Sequence, residues 1–389
     1  MENSVWNSLY KLEAYCASEG YKGYDPYDGL NSRLFQAIPV IRGNRMARLA
    51  CIQLFKRSPI NLRPLAGVKK EYNPKALGLF LSGYCNLYQI TQKQEYLDKI
   101  NFFISKIKTL ANSEWSGYCW GYNFDWQARA FFQPKNTPTV VATTFISCAL
   151  LDAYEILGDD SLLKIARSAC DFVLKDLNRT YDDRGNFAFS YSPLDKSVVY
   201  NASLLGSRLL SRVYSFTHEE ELISAAKKSV VFCCDNQQND GSWTYGKYDF
   251  HSWIDNFHTG YNLECIAEYI KYSGETDFKS NLERGFEYYI NNFFSEDGIP
   301  KYYNNSIYPI DIHIPAQLVI TASRLNKFSE CQVVIQKVIY WTIANMQSKK
   351  GYFYFQKNKF FTSKISYMRW AQAWMFYGLS EYVRNSDVK

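Results

Sequence analysis

One loop pattern repeats along the chain at a nearly fixed spacing, and this constrains the fold more than any other feature. Each copy has a glycine turn, then aromatic residues, then an apolar-periodic segment. The glycines of successive copies are residues 121, 185, 241, 298 and 351. They lie 64, 56, 57 and 53 residues apart. A period of this size predicts a repeat architecture in which each unit packs on its neighbours.

Helical segments of two kinds alternate along the chain. Segments that are poor in charge are typical of helices buried on all sides, and they span 75–89, 141–156, 201–214, 258–271, 312–325 and 369–383. Amphipathic segments are typical of outer helices with one solvated face, and they span 33–56, 94–111, 160–177, 219–236, 277–293 and 328–347. Six outer–inner hairpins predict an all-α fold, an (α/α)6 toroid. We expect residues 1–32 to be an N-terminal helix and loop packed on the barrel, and 33–389 to be a single toroid domain.

The composition indicates what the toroid would hold. Aromatic residues make up 17% of the chain, with 32 Tyr and 9 Trp. Tyr and Trp combine an apolar face with a polar tip, which suits a wet cavity for carbohydrate; the alternative is that many tyrosines only pack one repeat on the next. The net charge of +6 is spread out, which argues against a nucleic-acid partner but would help attract an acidic substrate.

The sequence argues against several other classes of protein. The ten cysteines have no CxxC spacing, which indicates buried, reduced thiols in a cytoplasmic protein. The N-terminus does not resemble a secretory signal, and no run approaches 18 apolar residues, so we expect no transmembrane span. Phosphate-loop, dinucleotide and serine-hydrolase motifs are missing from the sequence, and we expect no cofactor.

In a toroid of this kind, the loops enter the inner helices from one end, so the helix starts gather in one cavity. The polar residues at these starts are Asn201, Asn256, His258, His313 and Arg369. Helix N-termini carry partial positive charge and unpaired N–H groups. The predicted cavity therefore favours a carboxylate or another anion.

Three of the four histidines fall in predicted cavity loops: His251, His258 and His313. His218 lies beside Glu219 and Glu220 and is predicted to be on the surface. Neutral imidazole is a natural general base near pH 7. Structural roles and metal binding are the alternatives; local spacing such as HExxH does not support a metal, and we predict none.

The aspartates offer pairs for a different chemistry. Asp125, Asp255 and Asp311 are the main candidates, since a glycosidase needs two carboxyl groups flanking one bond. Asp125 and Asp255 each lie near a tryptophan, Trp126 and Trp253, which suits a sugar subsite. Further carboxylates are Asp25, Asp28 and Glu264; the first two are also typical of a turn that they would hold themselves.

Aromatic side chains near the loops are predicted to line the cavity. They are Tyr118, Trp120, Tyr122, Trp126, Trp243, Tyr245, Tyr303, Tyr352, Tyr367 and Trp370. Arg369 is the predicted carboxylate clamp because guanidinium makes bidentate bonds, and Arg129 is a weaker second candidate. The structural alternative for Arg369 is a salt bridge that ties down the last repeat.

Several segments resemble a bacterial family from surface-polysaccharide gene clusters: GYDPYDGLNS (23–32), WGYNFDWQAR (120–129), DGSWTYG (240–246), WIDNFHTGYNLE (253–264) and SYMRWAQAWMFYGLSEY (366–382). The chain more distantly resembles the helical domain of D-glucuronyl C5-epimerases and other (α/α)6 sugar enzymes. QQNDGSW (237–243) is also similar to the Q-x-x-D-G-x-W repeat of squalene and terpene cyclases. The D-x-D-D acid motif of those cyclases does not occur in the sequence, which counts against cyclase chemistry.

The leading hypothesis is an enzyme of polysaccharide biosynthesis that acts on a uronic-acid-containing glycan or glycolipid, as an epimerase or lyase. His258 or His313 would remove the C5 proton, and Tyr245 or Tyr367 would be the acid. Arg369 and the helix N-termini would neutralise the substrate carboxylate.

Two alternatives stay open. One is a glycoside hydrolase that uses two of the three aspartates Asp125, Asp255 and Asp311. The other is a non-catalytic glycan-binding or assembly protein that works with other proteins of the polysaccharide pathway.

Overall fold

A computed structural model describes residues 2–112, 114–128 and 131–386, and two concentric rings of helices form its architecture. The helices are numbered along the chain. The inner ring consists of α5 (Pro74–Thr91), α7 (Val140–Leu157), α9 (Tyr200–Thr217), α11 (Asn256–Ser273), α13 (His313–Arg324), and a π-helical turn (Met368–Ala373) that continues as α15 (Trp374–Ser386). Each inner helix packs on the next, and α15 packs back on α5. The ring is therefore closed, and the predicted (α/α)6 toroid is confirmed.

The outer ring surrounds these helices. It consists of α6 (Gln94–Thr109), α8 (Asp160–Asp171) with a π-helical turn (Phe172–Asp176), α10 (Glu220–Asp235), α12 (Lys279–Phe293), α14 (Gln332–Met346) and α1 (Glu2–Ser18). Helix α1 packs on α14 and α15, so the N-terminal helix pairs with the last inner helix and completes the ring.

The sixth outer helix is thus α1, and the prediction that 33–56 fills this place was wrong. Val5, Leu9, Leu12 and Cys16 of α1 are all buried, and their spacing forms one apolar helical stripe. Residues 33–57 instead form three short helices, α2 (Arg33–Gln36), α3 (Pro39–Gly43) and α4 (Arg45–Arg57). Pro39 starts α3 and Asn44 caps α4, so the chain breaks where the sequence pattern indicates one helix. The division of domains at residue 32 stays a prediction.

Two of the repeated glycines are required by their backbone conformation and by their close contacts. Gly241 has a φ of +91° and Gly351 a φ of +96°, a region that L side chains rarely adopt. A Cβ atom at Gly241 would collide with the carbonyl of Arg284 in α12, and one at Gly351 with the carbonyl of Lys11 in α1. Each turn therefore packs directly on the next outer helix.

Small antiparallel sheets occupy the loops that lead into inner helices. Their strands are β1 (Trp126–Gln127) paired with β2 (Phe132–Gln133), β3 (Arg179–Tyr181) paired with β4 (Phe187–Phe189), and β5 (Ile310–Asp311), β6 (Gln356–Lys357) and β7 (Thr362–Ser363) in order. They hold the loops at one end of the ring.

The other end of the inner ring is joined by buried ions. Arg208 of α9 binds Glu268 of α11 at 2.6 Å, and Arg212 binds Asp152 of α7 at 2.7 Å. Glu264, one turn before Glu268, is also buried, and burial raises its pKa to about 7 against the lowering effect of Arg208. Charges removed from water are stable only when they are paired and hydrogen-bonded, so this network fixes the inner helices relative to one another.

One described helix, α7, is long and apolar enough to cross a membrane by length and composition, but most of it is buried inside the toroid. The ten cysteines are all free, and all but Cys51 are buried.

Candidate active site

The first turns of all six inner helices surround one cavity of about 330 Å³. Each helix contributes a side chain to the lining: Lys75, Val141, Asn201, His258, His313 and Arg369. The prediction that the inner-helix starts gather in one cavity is confirmed. Orphan N–H groups at helix starts favour an anion in this space.

Loops and α4 build the rest of the wall. Helix α4 contributes Leu49, Gln53 and Lys56. Aromatic residues dominate the loops and include Tyr27, Tyr122, Phe124, Trp126, Tyr191, Tyr245, Trp253, Tyr302, Tyr303 and Trp370. Within the described part of the chain, no Asp or Glu side chain lines the cavity. Its charged groups are therefore all basic.

His258 is held by Asp255. The Asp255 Oδ2 atom lies 2.7 Å from His258 Nδ1 and also accepts from the indole N–H of Trp253 at 3.0 Å. Asp255 caps α11, and its Oδ1 accepts from the backbone N–H of His258 at 3.1 Å. Because an ionised carboxylate only accepts hydrogen bonds, Nδ1 carries a proton, and in the neutral form of the ring the lone pair is on Nε2. The His258 side chain is 21% exposed and lines the cavity, as a general base would.

His313 is packed between aromatic rings. Its ring centroid lies 4.0 Å from that of Trp374 and 4.5 Å from that of Phe257. Its Nε2 atom lies 2.9 Å from the hydroxyl of Tyr261, whereas its buried Nδ1 has no hydrogen-bond partner among the described residues. Burial, and then the nearby charge of Lys75, hold its pKa well below the usual value. His313 is therefore neutral, and its buried Nδ1 is unpaired in the described residues.

Lys75 is the residue that sequence reasoning missed. Its ammonium lies 4.1 Å from the ring centroid of Phe145 and 5.1 Å from that of Trp374. Burial, and then repulsion from Arg369, lower its pKa well below the usual value. Strongly perturbed lysines in clefts are typical of functional sites. Aligning the inner-helix starts would have found it, since Lys75 and Arg369 are each the second residue of their helices.

Arg369 already has a partner. Its Nε and Nη2 atoms bind the two carboxylate oxygens of Asp25 at 2.5 and 2.8 Å. Asp25 belongs to the loop after α1, so the pair ties that loop to the last inner helix, as in the structural alternative for this arginine. Arg369 still lines the cavity, and its Nη1 makes no hydrogen bond within the described part of the chain.

Several other predicted side chains lie in the lining: Tyr122, Trp126, Asn201, Tyr245, His251 and Trp370. The Oδ1 atom of Asn201 is buried and has no hydrogen-bond partner in the described residues. Tyr245 stacks on Trp253 and lies 4.7 Å from His258 between ring centroids. Its ring therefore packs against the candidate base.

Five predicted lining aromatics lie elsewhere. Tyr352 lines a separate surface hollow beside Tyr15 of α1, and Tyr367 is described below. Trp120 donates its indole N–H to the carbonyl of Ile107, and Trp243 donates to that of Cys233. Both rings are buried in the core, where each ties its loop to the preceding outer helix. Tyr118 is on the surface beside α8, with its backbone N–H bound to Ser168.

The remaining predicted side chains stand behind the cavity wall or far from it. Asp311 is buried and accepts from the indole N–H of Trp370 at 2.8 Å and the backbone N–H of His313 at 3.0 Å. Tyr367 is buried and accepts from Arg63 at 2.8 Å. Asn256 faces the outer ring, where it accepts from Tyr289 at 3.1 Å. Asp125 lies in a separate surface hollow, where it accepts from the backbone N–H of Lys135 at 2.7 Å.

Arg129, the weaker candidate clamp, lies outside the described residues. Among the described residues, no group of three His, Cys, Asp or Glu side chains is arranged to hold a metal ion.

Solved structures that superpose on this chain include carbohydrate-processing enzymes. Cellobiose 2-epimerase from Bacillus thermoamylovorans superposes with a TM-score of 0.65 at 12% identity, over 82% of this chain and 90% of that one. An unsaturated glucuronyl hydrolase specific for heparin has a TM-score of 0.65 at 13% identity, over 100% of this chain and 97% of that one. A D-mannose isomerase has a TM-score of 0.59 at 13% identity, over 81% and 87%. At these identities the likeness shows the fold alone.

A scan against protein-family models finds no match, and a search of curated proteins by sequence finds none either.

Proposed function

We propose that this protein is an enzyme that removes the C5 proton of a uronic-acid residue in a glycan or glycolipid, as an epimerase or a lyase. The observation that carries the proposal is the set of basic side chains that line the cavity. Lys56, Lys75 and Arg369 line it together with three histidines, and no carboxylate lines it in the described residues. Such a cavity suits an anionic sugar and opposes a second negative charge.

His258 is the proposed base. The C5 proton would pass to its Nε2 atom, and the electron pair of the C–H bond would move into the substrate carboxylate, giving an enediolate. Asp255 would stabilise the imidazolium that results and keep the ring in the required tautomer. Nη1 of Arg369 would stabilise the charge that develops on the carboxylate, and Lys75, whose pKa is lowered in the free protein, would bind a proton beside that anion.

The second proton-transfer group is proposed to be Tyr261 with His313. Its hydroxyl is 2.9 Å from His313 Nε2, and its ring centroid is 5.9 Å from that of His258. Tyr261 is preferred because its hydroxyl is hydrogen-bonded to His313, which also lines the cavity, whereas Tyr367 does not line the cavity. A proton delivered from the opposite face would invert C5; loss of the substituent at C4 would instead give an unsaturated product.

A role in surface-polysaccharide biosynthesis is supported by the resemblance of several segments to a family from such gene clusters. Structural neighbours include epimerases and isomerases of sugars, which is compatible with proton transfer next to an activated carbon. They also include hydrolases, so hydrolysis is compatible with the fold. A hydrolase with paired aspartates is less well supported, because Asp125, Asp255 and Asp311 do not line the cavity within the described part of the chain.

Solvent exchange tests the proposal. Uronate-containing oligosaccharides would be incubated with the protein in D₂O, and NMR would measure both deuterium at C5 and the 4,5-unsaturated product. We expect one of the two with the wild-type protein and a loss of about a hundredfold or more in His258→Gln, the scale of a lost general base. His218→Asn is the control, since His218 lies at the end of α9 with a φ of +56°, which Asn tolerates. Absence of both exchange and unsaturated product with every uronate glycan would overturn the proposal, as would equal activity in the two variants.

A further inference from the structure

The mouth of the cavity is bordered by a surface of unusual composition. We name it the mouth surface: the exposed side chains of residues 33–57 and of the β6–β7 hairpin, 356–363. Helix α4 belongs to both the surface and the cavity, since its Leu49, Gln53 and Lys56 line the cavity. The hairpin lies next to α4, because Asn358 and Phe361 share a second hollow of about 450 Å³ with Gln53 and Arg57.

Large apolar side chains project from this surface into solvent. Val40 of α3 is 84% exposed, and Met46 and Leu54 of α4 are 69% and 60% exposed. Exposed positions on α4 include Met46, Ala50, Leu54 and Arg57, a spacing that places them on one face of the helix. Ile52 and Phe55 on the other side are buried. The outward face therefore has apolar residues where a solvated helix has polar ones.

The hairpin continues this surface. Phe360 at its tip is 90% exposed, and Phe361 beside it is also exposed. Lys357 and Lys359 come just before the two rings in the sequence. An aromatic tip with lysines next to it suits the boundary between lipid headgroups and acyl chains.

The charge of the surface has one sign. Residues 33–57 and 356–363 together hold eight of the 44 Lys and Arg residues and none of the 38 Asp and Glu residues. The rest of the chain therefore carries a net negative charge, although the whole protein is at +6. Arg42, Arg45 and Arg57 are exposed among the apolar side chains of the mouth surface.

We infer that the mouth surface docks on a lipid bilayer that carries negative charge, with the cavity opening towards the headgroups. Apolar residues on one face of a helix with basic residues around them are typical of segments that lie in a membrane interface. Basic residues near such a surface each add to binding when the lipids are anionic.

Other occupants fit the surface less well. A second copy of the chain would bring the same basic residues together across a two-fold axis, and like charges repel. Nucleic acid would match the charge, but Val40, Met46 and Leu54 are aliphatic and offer no hydrogen bonds to phosphate or base edges.

Vesicle binding tests the inference without any need to know the substrate. The full-length protein would be sedimented with vesicles of equal parts phosphatidylcholine and phosphatidylglycerol, and with vesicles of phosphatidylcholine alone. We expect binding to the anionic vesicles, weaker binding to the neutral ones, and a decrease as salt screens the charges.

Variants then locate the contact. Val40→Asp with Met46→Asp should weaken binding about tenfold or more, because the apolar area would no longer be buried. Phe360→Ser is a second, independent variant on the hairpin. Arg42→Glu should weaken binding at least about fivefold, the effect of losing one charge near an anionic surface.

Matched controls lie on the outer ring. Val333→Asp removes an apolar residue of α14 that is also well exposed, and Lys164→Glu with Lys228→Glu reverses exposed charges on α8 and α10. These controls should leave vesicle binding unchanged. Near-UV circular dichroism would check that each variant is folded.

Three results would overturn the inference. The first is no binding of the wild-type protein to anionic vesicles. The second is equal loss of binding in the control variants. The third is a change of oligomeric state in Val40→Asp with Met46→Asp, without vesicle binding by the wild-type protein, which would assign the surface to a second copy.

Discussion

The Nδ1 atom of His258 lies 2.7 Å from the Oδ2 atom of Asp255, and the same carboxylate caps the helix that carries the histidine. One buried side chain thus fixes both the position of the helix start and the orientation of the imidazole ring. The ring nitrogen that is left, Nε2, belongs to a side chain that lines the cavity. This relationship is the basis of the role proposed for His258.

Asp255→Asn should separate the two functions of this side chain. Asn is as good a helix cap as Asp, so the free energy of unfolding should change little. The amide can donate to Nδ1 and stabilise the wrong tautomer, so kcat should fall about a hundredfold or more. Asp255→Ala, which also removes the cap, should lose about 1 kcal/mol of stability in addition. An Asn variant with wild-type kcat would show that Asp255 does not orient the base.

Lys75→Met should make the protein more stable and less active. The lowered pKa of Lys75 means that between this pKa and the ordinary value of about 10.4 the unfolded chain binds a proton that the folded chain does not. Lys75 therefore costs stability at neutral pH, and this cost shrinks as pH rises towards the unfolded value. We expect a higher Tm at pH 7, a smaller gain at pH 9.5, and a fall in kcat of about a hundredfold. A lower Tm for Lys75→Met at pH 7 would contradict the assignment.

Glu264→Gln should change how stability depends on pH. Burial raises the pKa of Glu264 to about 7 from the ordinary value of 4.5, so the folded protein binds a proton that the unfolded chain has lost between these values. The contribution of Glu264 to the free energy of unfolding is therefore largest below about pH 4.5, and it decreases as the pH rises towards 7. In thermal unfolding at pH 5, 6 and 7, the Tm of the variant should rise relative to that of the wild-type protein as the pH increases. A difference in Tm that stays constant over this range would count against the raised pKa.

Asp25→Asn should destabilise the protein strongly, since it leaves the buried guanidinium of Arg369 without a charged partner. Breaking one side of a buried ion pair costs about 3–5 kcal/mol. Urea unfolding of Asp25→Asn, Arg369→Gln and the double variant would measure the coupling. We expect the double variant to lose less than the two single losses combined; strict additivity would mean that the two residues do not depend on each other.

Gly351→Ala tests closure of the outer ring by α1. A Cβ atom there would strike the carbonyl of Lys11, and the φ of +96° is unfavourable for alanine. We expect a loss of about 2 kcal/mol or more in the free energy of unfolding. Gly158→Ala is the matched control, because Gly158 has a φ of +66° with open space around it, and it should lose only about 1 kcal/mol. Equal losses would mean that the turn does not depend on α1.

The period of the repeat was enough to predict the toroid, because six charge-poor helices can be buried only in a closed inner ring. It did not show which helix completes the outer ring. Residues 33–56 have helical periodicity, but the contact of α1 with α14 and α15 joins opposite ends of the chain. No local pattern in the sequence reports such a contact.

Site residues could be predicted where they follow the repeat. They could not be predicted where one residue type can have two structural roles. His258, His313, Asn201 and Arg369 occupy inner-helix starts, and the cavity lies there. Trp120 and Trp243 follow glycine turns, and an aromatic residue there can either line a cavity or anchor a loop in the core. Lys75 was not predicted to line the cavity, because no glycine–aromatic loop precedes its helix.

The most direct test of the account is a crystal structure of the protein bound to a uronic-acid glycoside. The account predicts that the sugar carboxylate lies against Lys75 and Nη1 of Arg369. It also predicts that C5 lies about 3–3.5 Å from Nε2 of His258, the distance of reacting atoms in a productive complex. A sugar bound with its carboxylate away from both cations, or with C5 out of reach of His258, would contradict the proposed chemistry.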